Sequence, residues 1–228
     1  MKYQVLADAY ARIEQTSSRL SMTDLLAGLL RQTPKNELSR VVYLTQGKLY
    51  PDFEGIETGI AEKSAVHAVA QATGTCSSTV EKQLRKMGDL GSVAEALAAK
   101  QRSRRAVLSV DDVHRELDRA ARATGKGSQK VRLEALAGLI TRATPTEARY
   151  ILRTVTGKLR LGVGDMTALD ALAVIYGGGR TARKELERAY NLTSDLGYVA
   201  ETVGKGGMDA IRKIHVVVGK PIRPMLAE

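Results

Sequence analysis

The chain carries a diverged copy of itself, and this constrains its fold more than any other feature. "LAGLLRQTP" from Leu26 is matched by "LAGLITRATP" from Leu136, "GKL" at Gly47–Leu49 by "GKL" at Gly157–Leu159, and "DLGSVAE" from Asp89 by "DLGYVAE" from Asp195. The pairs keep their order, at offsets of 110, 110 and 106 residues. A fourth pair, "TGIAEKS" at 58–64 and "LGVGDMT" at 161–167, shares the pattern Gly, apolar, small, acid, any residue, hydroxyl. Each member runs straight into an apolar helical pattern. The copies cover about 20–99 and 130–205, with a basic connector at about 99–108 between them. Neither copy alone supplies much core, so the two read as one domain with pseudo-twofold symmetry, spanning residues 1–218.

Helix signals recur every fifteen to twenty residues. "TPKNELSRVVYLTQG" offers Thr33 as N-cap, Pro34 at the first helical position and Gly47 as a stop. "TPTEARYILRTVTG" repeats this with Thr144, Pro145, Gly157 and a Glu147 placed for a capping box. A further helix is expected from Ser109, with two Asp in its first turn. Strand-like alternation is nearly absent before "IHVVVG", so the expected fold is all-α, with about a dozen helices. With one Phe and no Trp, the core must come from Leu, Ala, Val and Ile, and Tyr150 and Tyr176 are expected in it.

Lys and Arg number 35 against 25 acids, a net charge of +10. That excess suits a polyanion, nucleic acid first among them, although a solvated basic surface gives the same total. Few aromatic residues are available to stack single-stranded bases, which favours a duplex held by its backbone. The single Cys76 excludes an internal disulfide and fits a reducing cytosol. His67, His114 and His215 are far apart and lack cysteine partners, so no metal site is expected. No apolar run is long enough to cross a bilayer.

The glycine-rich stretch at 161–167 fails two nucleotide-binding tests. A Walker loop needs four residues between its glycines and then Gly-Lys-Ser/Thr, and the dinucleotide fingerprint needs a third Gly where Thr167 stands. A helix-hairpin-helix turn fits "GVGDMTALDAL", but the partner "GIAEKS" lacks its second Gly. Both copies do share a helix start, where unpaired backbone N–H groups and the positive end of the dipole suit phosphate. Ser64 and Thr167 add hydroxyls there, and Lys63, Lys158 and Arg160 add charge. Glu62 and Asp165 are read as acids that stabilise the helix dipole, not as catalytic groups. Arg180, Arg183, Lys184 and Arg188, interleaved with Glu185 and Glu187, read as a salt-bridged surface helix. Met166 suits a groove, the core or the surface equally.

"GKLRLGVGDMTALDALA" closely resembles a hallmark segment of the N-terminal DNA-binding domain of ATP-dependent DNA ligases of the archaeal and eukaryotic replicative type. "YLTQGKLYPDFEG", "AVHAVAQATG", "KVRLEALAGLI", "NLTSDLG" and "VGKPIRPMLAE" extend the resemblance over essentially the whole chain. It implies a monomeric helical domain that binds nicked or intact double-stranded DNA through the minor groove and backbone, without sequence preference. The parent enzyme would act in DNA replication, repair and recombination, in the cytoplasm and associated with the nucleoid. By position, the implied contacts are Gly59, Lys63 and Ser64 in the first copy, and Gly157, Lys158, Arg160, Gly162, Gly164 and Thr167 in the second.

The resemblance also assigns partners and cofactors. Residues 219–228 would begin the linker into an adenylation domain, followed by an OB-fold domain, and the parent ligase would use ATP and Mg²⁺. The family's catalytic lysine lies in Lys-x-Asp-Gly, and no lysine in this chain is followed by x-Asp-Gly. This chain is therefore expected to have no catalytic residue and to need no cofactor. Many archaeal ligases carry a sliding-clamp peptide in the connector, a Gln followed by two aromatics. Here Gln101 is present, but Arg104 and Arg105 replace the aromatics, which counts against clamp binding. The connector either adds phosphate affinity or is a solvated loop. Two other readings remain open: a helix-hairpin-helix DNA binder unrelated to ligases, and a helical protein-interaction scaffold.

Overall fold

Where the helices start and stop follows from local chemistry. The computed structural model describes residues 1–101 and 106–223. Arg104, Arg105 and residues 224–228 therefore lie outside the described residues. Among those described, the helices are α1 (Tyr3–Glu14), α2 (Arg19–Gln32), α3 (Leu38–Thr45), α4 (Glu62–Thr73), α5 (Ser77–Met87) and α6 (Leu90–Ala99). They continue as α7 (Val110–Ala121), α8 (Ser128–Arg142), α9 (Pro145–Val155), α10 (Asp165–Tyr176), α11 (Arg183–Thr193) and α12 (Leu196–Arg212). The chain is all-α. Lys2 and Ser109 form one isolated bridge, and "IHVVVG" is irregular among the described residues, not a strand. No described helix is long and apolar enough to cross a membrane.

The capping box expected at Thr144 forms, with Glu147 as the reciprocal partner; the helix expected from Ser109 also starts there, and Asp112 closes a second capping box that the sequence reading did not include. The start expected at Thr33 does not. Thr33 closes α2, its hydroxyl donating to the Leu29 carbonyl, and α3 begins only at Leu38. The reason is local: three residues after Thr33 stands Asn36, not the Glu that follows Thr144, so the reciprocal cap is missing. The two "GKL" copies, in contrast, end their helices identically. Lys48 N–H donates to Tyr43 O and Gly47 N–H to Leu44 O; Lys158 N–H donates to Arg153 O and Gly157 N–H to Thr154 O. Each is a Schellman stop with a left-handed glycine, Gly47 at φ +74° and Gly157 at φ +65°.

Two compact units form: Met1–Ala11 with Ile56–Leu159, and Arg12–Gly55 with the chain from Arg160 onward. In the first, α4 packs on α8, α6 on α9, and α5 on α4 and α6. In the second, α10 packs on α2, α12 on α3, and α11 on α10 and α12. These are the same pairings at equivalent positions, but each unit combines two helices of one sequence copy with three of the other. A copy cut out at its sequence boundaries would leave its helices without the faces they cover.

The motif "DLG" shows why the copies interlock. Asp89 and Asp195 are the N-caps of α6 and α12. Arg153 of α9 donates to Asp89, and Tyr43 of α3 donates to Asp195 at 2.5 Å. Arg153 and Tyr43 are themselves equivalent, 110 residues apart. The following Gly91 and Gly197 let the facing helix come close: a Cβ on Gly91 would lie 2.6 Å from Arg149 O, and one on Gly197 2.2 Å from the Tyr43 ring. The cores are aliphatic as expected, with Leu6, Leu136 and Leu97 in the first unit and Leu30, Leu169 and Val199 in the second. Tyr150 is fully buried and meets Tyr10 edge to face, whereas Tyr176 is half-buried and the single Phe53 is 37% exposed.

Candidate nucleic-acid interface

The paired stretches at 58–64 and 161–167 adopt one local design. Gly59 (φ +61°) and Gly162 (φ +69°) are both left-handed and stand three residues before the first residue of α4 and α10. The N-caps are Ala61 and Gly164, and neither supplies a side-chain acceptor to the first turn. Small residues at the cap thus leave the first-turn N–H groups without a side-chain acceptor, as an external anion requires, although Thr167 N–H already donates to Gly164 O at 3.0 Å. The acid falls at the first helical position in both, and the hydroxyls of Ser64 and Thr167 fall at the third. These hydroxyls and the cations Lys63 and Arg160 have no partner among the described residues. Lys63 and Arg160 are exposed, and Arg160 is left-handed at φ +46°, a conformation that L side chains adopt at a cost.

The acids are committed elsewhere. Glu62 accepts from Lys158 at 2.7 Å, within the first unit. Asp165 is a hub of the second: its Oδ1 accepts from Gln46 at 2.8 Å, and its Oδ2 from Tyr190 at 2.8 Å and Arg223 at 3.1 Å. Burial and the contact with Asp165 raise the Tyr190 hydroxyl above the usual tyrosine range, so it stays a donor. Both acids therefore carry side-chain partners in addition to their place in the first turn of a helix.

Of the remaining candidates, Gly164 faces open space, and Gly157 serves first as the stop of α9. Met166 is 46% exposed. In the basic cluster, Arg183 approaches Asp170 and Glu187 at 3.5 and 3.8 Å, and Arg188 donates to the carbonyls of Ile211, Arg212 and Ile214. Lys184 and Arg180 have no partner among the described residues.

Sequence reasoning missed Arg132. Its guanidinium donates to Ala120 O and Ala123 O and lies 3.1–3.2 Å from where a Gly59 Cβ would be. The equivalent residue is Met22, 110 residues earlier, and its methyl lies against Gly162 in the same way. Extending the copy alignment into α2 and α8 would have found this pair. Nothing in the sequence signals the Gln46, Tyr190 and Arg223 contacts to Asp165.

The family described as "DNA ligase N terminus" matches residues 2–173. Relatives include "DNA ligase 2" of Thermofilum pendens, 47% identical over 238 residues, and "DNA ligase" of Staphylothermus marinus, 45% identical over 243. "DNA ligase" of Aeropyrum pernix is 47% identical over 243 residues. In each case all of this chain is covered, but it spans only about 40% of the relative's length.

Proposed function

This chain belongs to the DNA ligase N-terminus family, and on that premise we propose that it is the duplex-binding part of an ATP-dependent DNA ligase. In this reading it holds nicked or intact DNA by the backbone along the minor groove, without reading sequence. One observation carries the proposal: the same uncapped helix start with a left-handed glycine occurs at equivalent places in both units, and each has a cation nearby, Lys63 or Arg160, at non-equivalent positions and without a partner among the described residues. Phosphate contacts of this kind position a duplex but carry no sequence information. Gly59, Lys63, Ser64, Lys158, Arg160, Gly162, Gly164 and Thr167 would make them, with Gly157 shaping the approach to Lys158.

Sealing would belong to the adenylation and OB-fold domains of the parent, with ATP and Mg²⁺ acting there. The described residues hold no group of three His, Cys, Asp or Glu placed for a metal ion. Fluorescence anisotropy with nicked and intact duplexes of unrelated sequence tests the reading. It predicts binding to all, with affinities that do not follow sequence. A protein-interaction scaffold predicts binding to none.

A further inference from the structure

Arg223 reaches from the segment after α12 back to the first turn of α10. Its Nη1 donates to Asp165 Oδ2 at 3.1 Å, its guanidinium lies 4.4 Å over the Tyr190 ring, and its backbone N–H donates to Asn191 O at 2.8 Å. Lys220 anchors the same segment, 2.6 Å from Asp195 Oδ2 and 3.9 Å over the Tyr198 ring. Two cations thus tie residues 220–223 to the N-terminal acids of α10 and α12.

Asp165 stands among Arg160, Gly162, Gly164 and Thr167, where an uncompensated carboxylate would repel phosphate. Gln46 and Tyr190 orient that carboxylate but do not cancel its charge, and Arg223 does. In the other unit the equivalent acid, Glu62, is cancelled by Lys158. The same compensation, supplied from unrelated positions, marks it as a property of the design and not of one contact. We propose that Arg223 is a positioning residue for DNA binding: it neutralises Asp165, so that docking of the 220–223 segment and duplex binding at α10 favour each other. This rests on the DNA-binding reading above.

A double-mutant cycle on the full chain tests it, using a fluorescein-labelled nicked duplex. R223Q should weaken binding roughly fivefold, the scale of one unscreened like charge at the surface, and R223K should restore most of it. In a D165N background R223Q should have no further effect, because no carboxylate remains to neutralise. By reciprocity, amide exchange at Arg223 should slow when duplex is added. An equal loss in both backgrounds would overturn the proposal, since it marks direct phosphate contact or a lost fold. No loss from R223Q, or unchanged exchange, would overturn it too. Wild-type protein that binds no duplex would instead remove the reading on which the proposal stands.

Discussion

Arg153 on α9 and Asp89 at the N-cap of α6 are joined at 2.7 and 2.9 Å through two guanidinium nitrogens. Tyr43 and Asp195 make the equivalent link between α3 and α12. Each link crosses from one sequence copy to the other within one packing unit, and each depends on the glycine two residues after the Asp. Gly91→Ala and Gly197→Ala should therefore destabilise by about 1–3 kcal/mol, because the new methyl meets backbone or a buried ring. Gly28→Ala and Gly138→Ala, on open helix faces, should instead stabilise by about 0.5–1 kcal/mol. Urea unfolding of the four variants checks the contrast.

The same link makes stability acid-sensitive. Burial alone would raise the Asp89 carboxyl, but hydrogen bonds from Arg153 and Ser92 and the Arg153 charge outweigh it and hold it below the usual range. A group depressed in the folded state contributes stability above its unfolded value and loses it as pH falls through the folded value. Asp89→Asn should cost about 1–3 kcal/mol at neutral pH and less as acid is added. Unfolding midpoints measured from neutral pH down through the carboxylate range should thus converge for the two proteins. Parallel curves would contradict the assignment.

These features differ in how far the sequence exposes them. The all-α fold, the paired helix starts and the "GKL" stops are local, set by residues within a turn of each other, and the copies make them visible twice. Thr33 misled because its Pro matches that of the second copy while the Glu that completes the cap does not. The exchange of helices between copies was not visible, because a repeat shows which helices are equivalent and not which of them pack together. At the candidate interface, Lys63, Arg160 and the glycines were legible. The partners of Asp165 were not, since Gln46 and Arg223 approach from 119 residues before it and 58 after.

Arg160 separates stability from binding. Its left-handed backbone costs about 1 kcal/mol that glycine would not incur. Arg160→Gly should therefore raise the unfolding free energy by about that amount while weakening duplex binding for all sequences alike. Thermal melts and anisotropy on one preparation would show both effects. If binding survived in this variant but failed when Arg180 and Lys184 were replaced, the interface would lie on α11 and the turn before it.

The salt dependence of duplex binding tests the central claim most directly. Backbone contacts release counterions, so log affinity should fall linearly with log salt at about −0.9 per phosphate neutralised. Contacts by Lys63 and Arg160, the two cations of the interface without an acidic partner among the described residues, predict a slope of at least about −1.8, reduced by about one unit in Arg160→Ala. A flat dependence, or no affinity for duplex at low salt, would contradict the account.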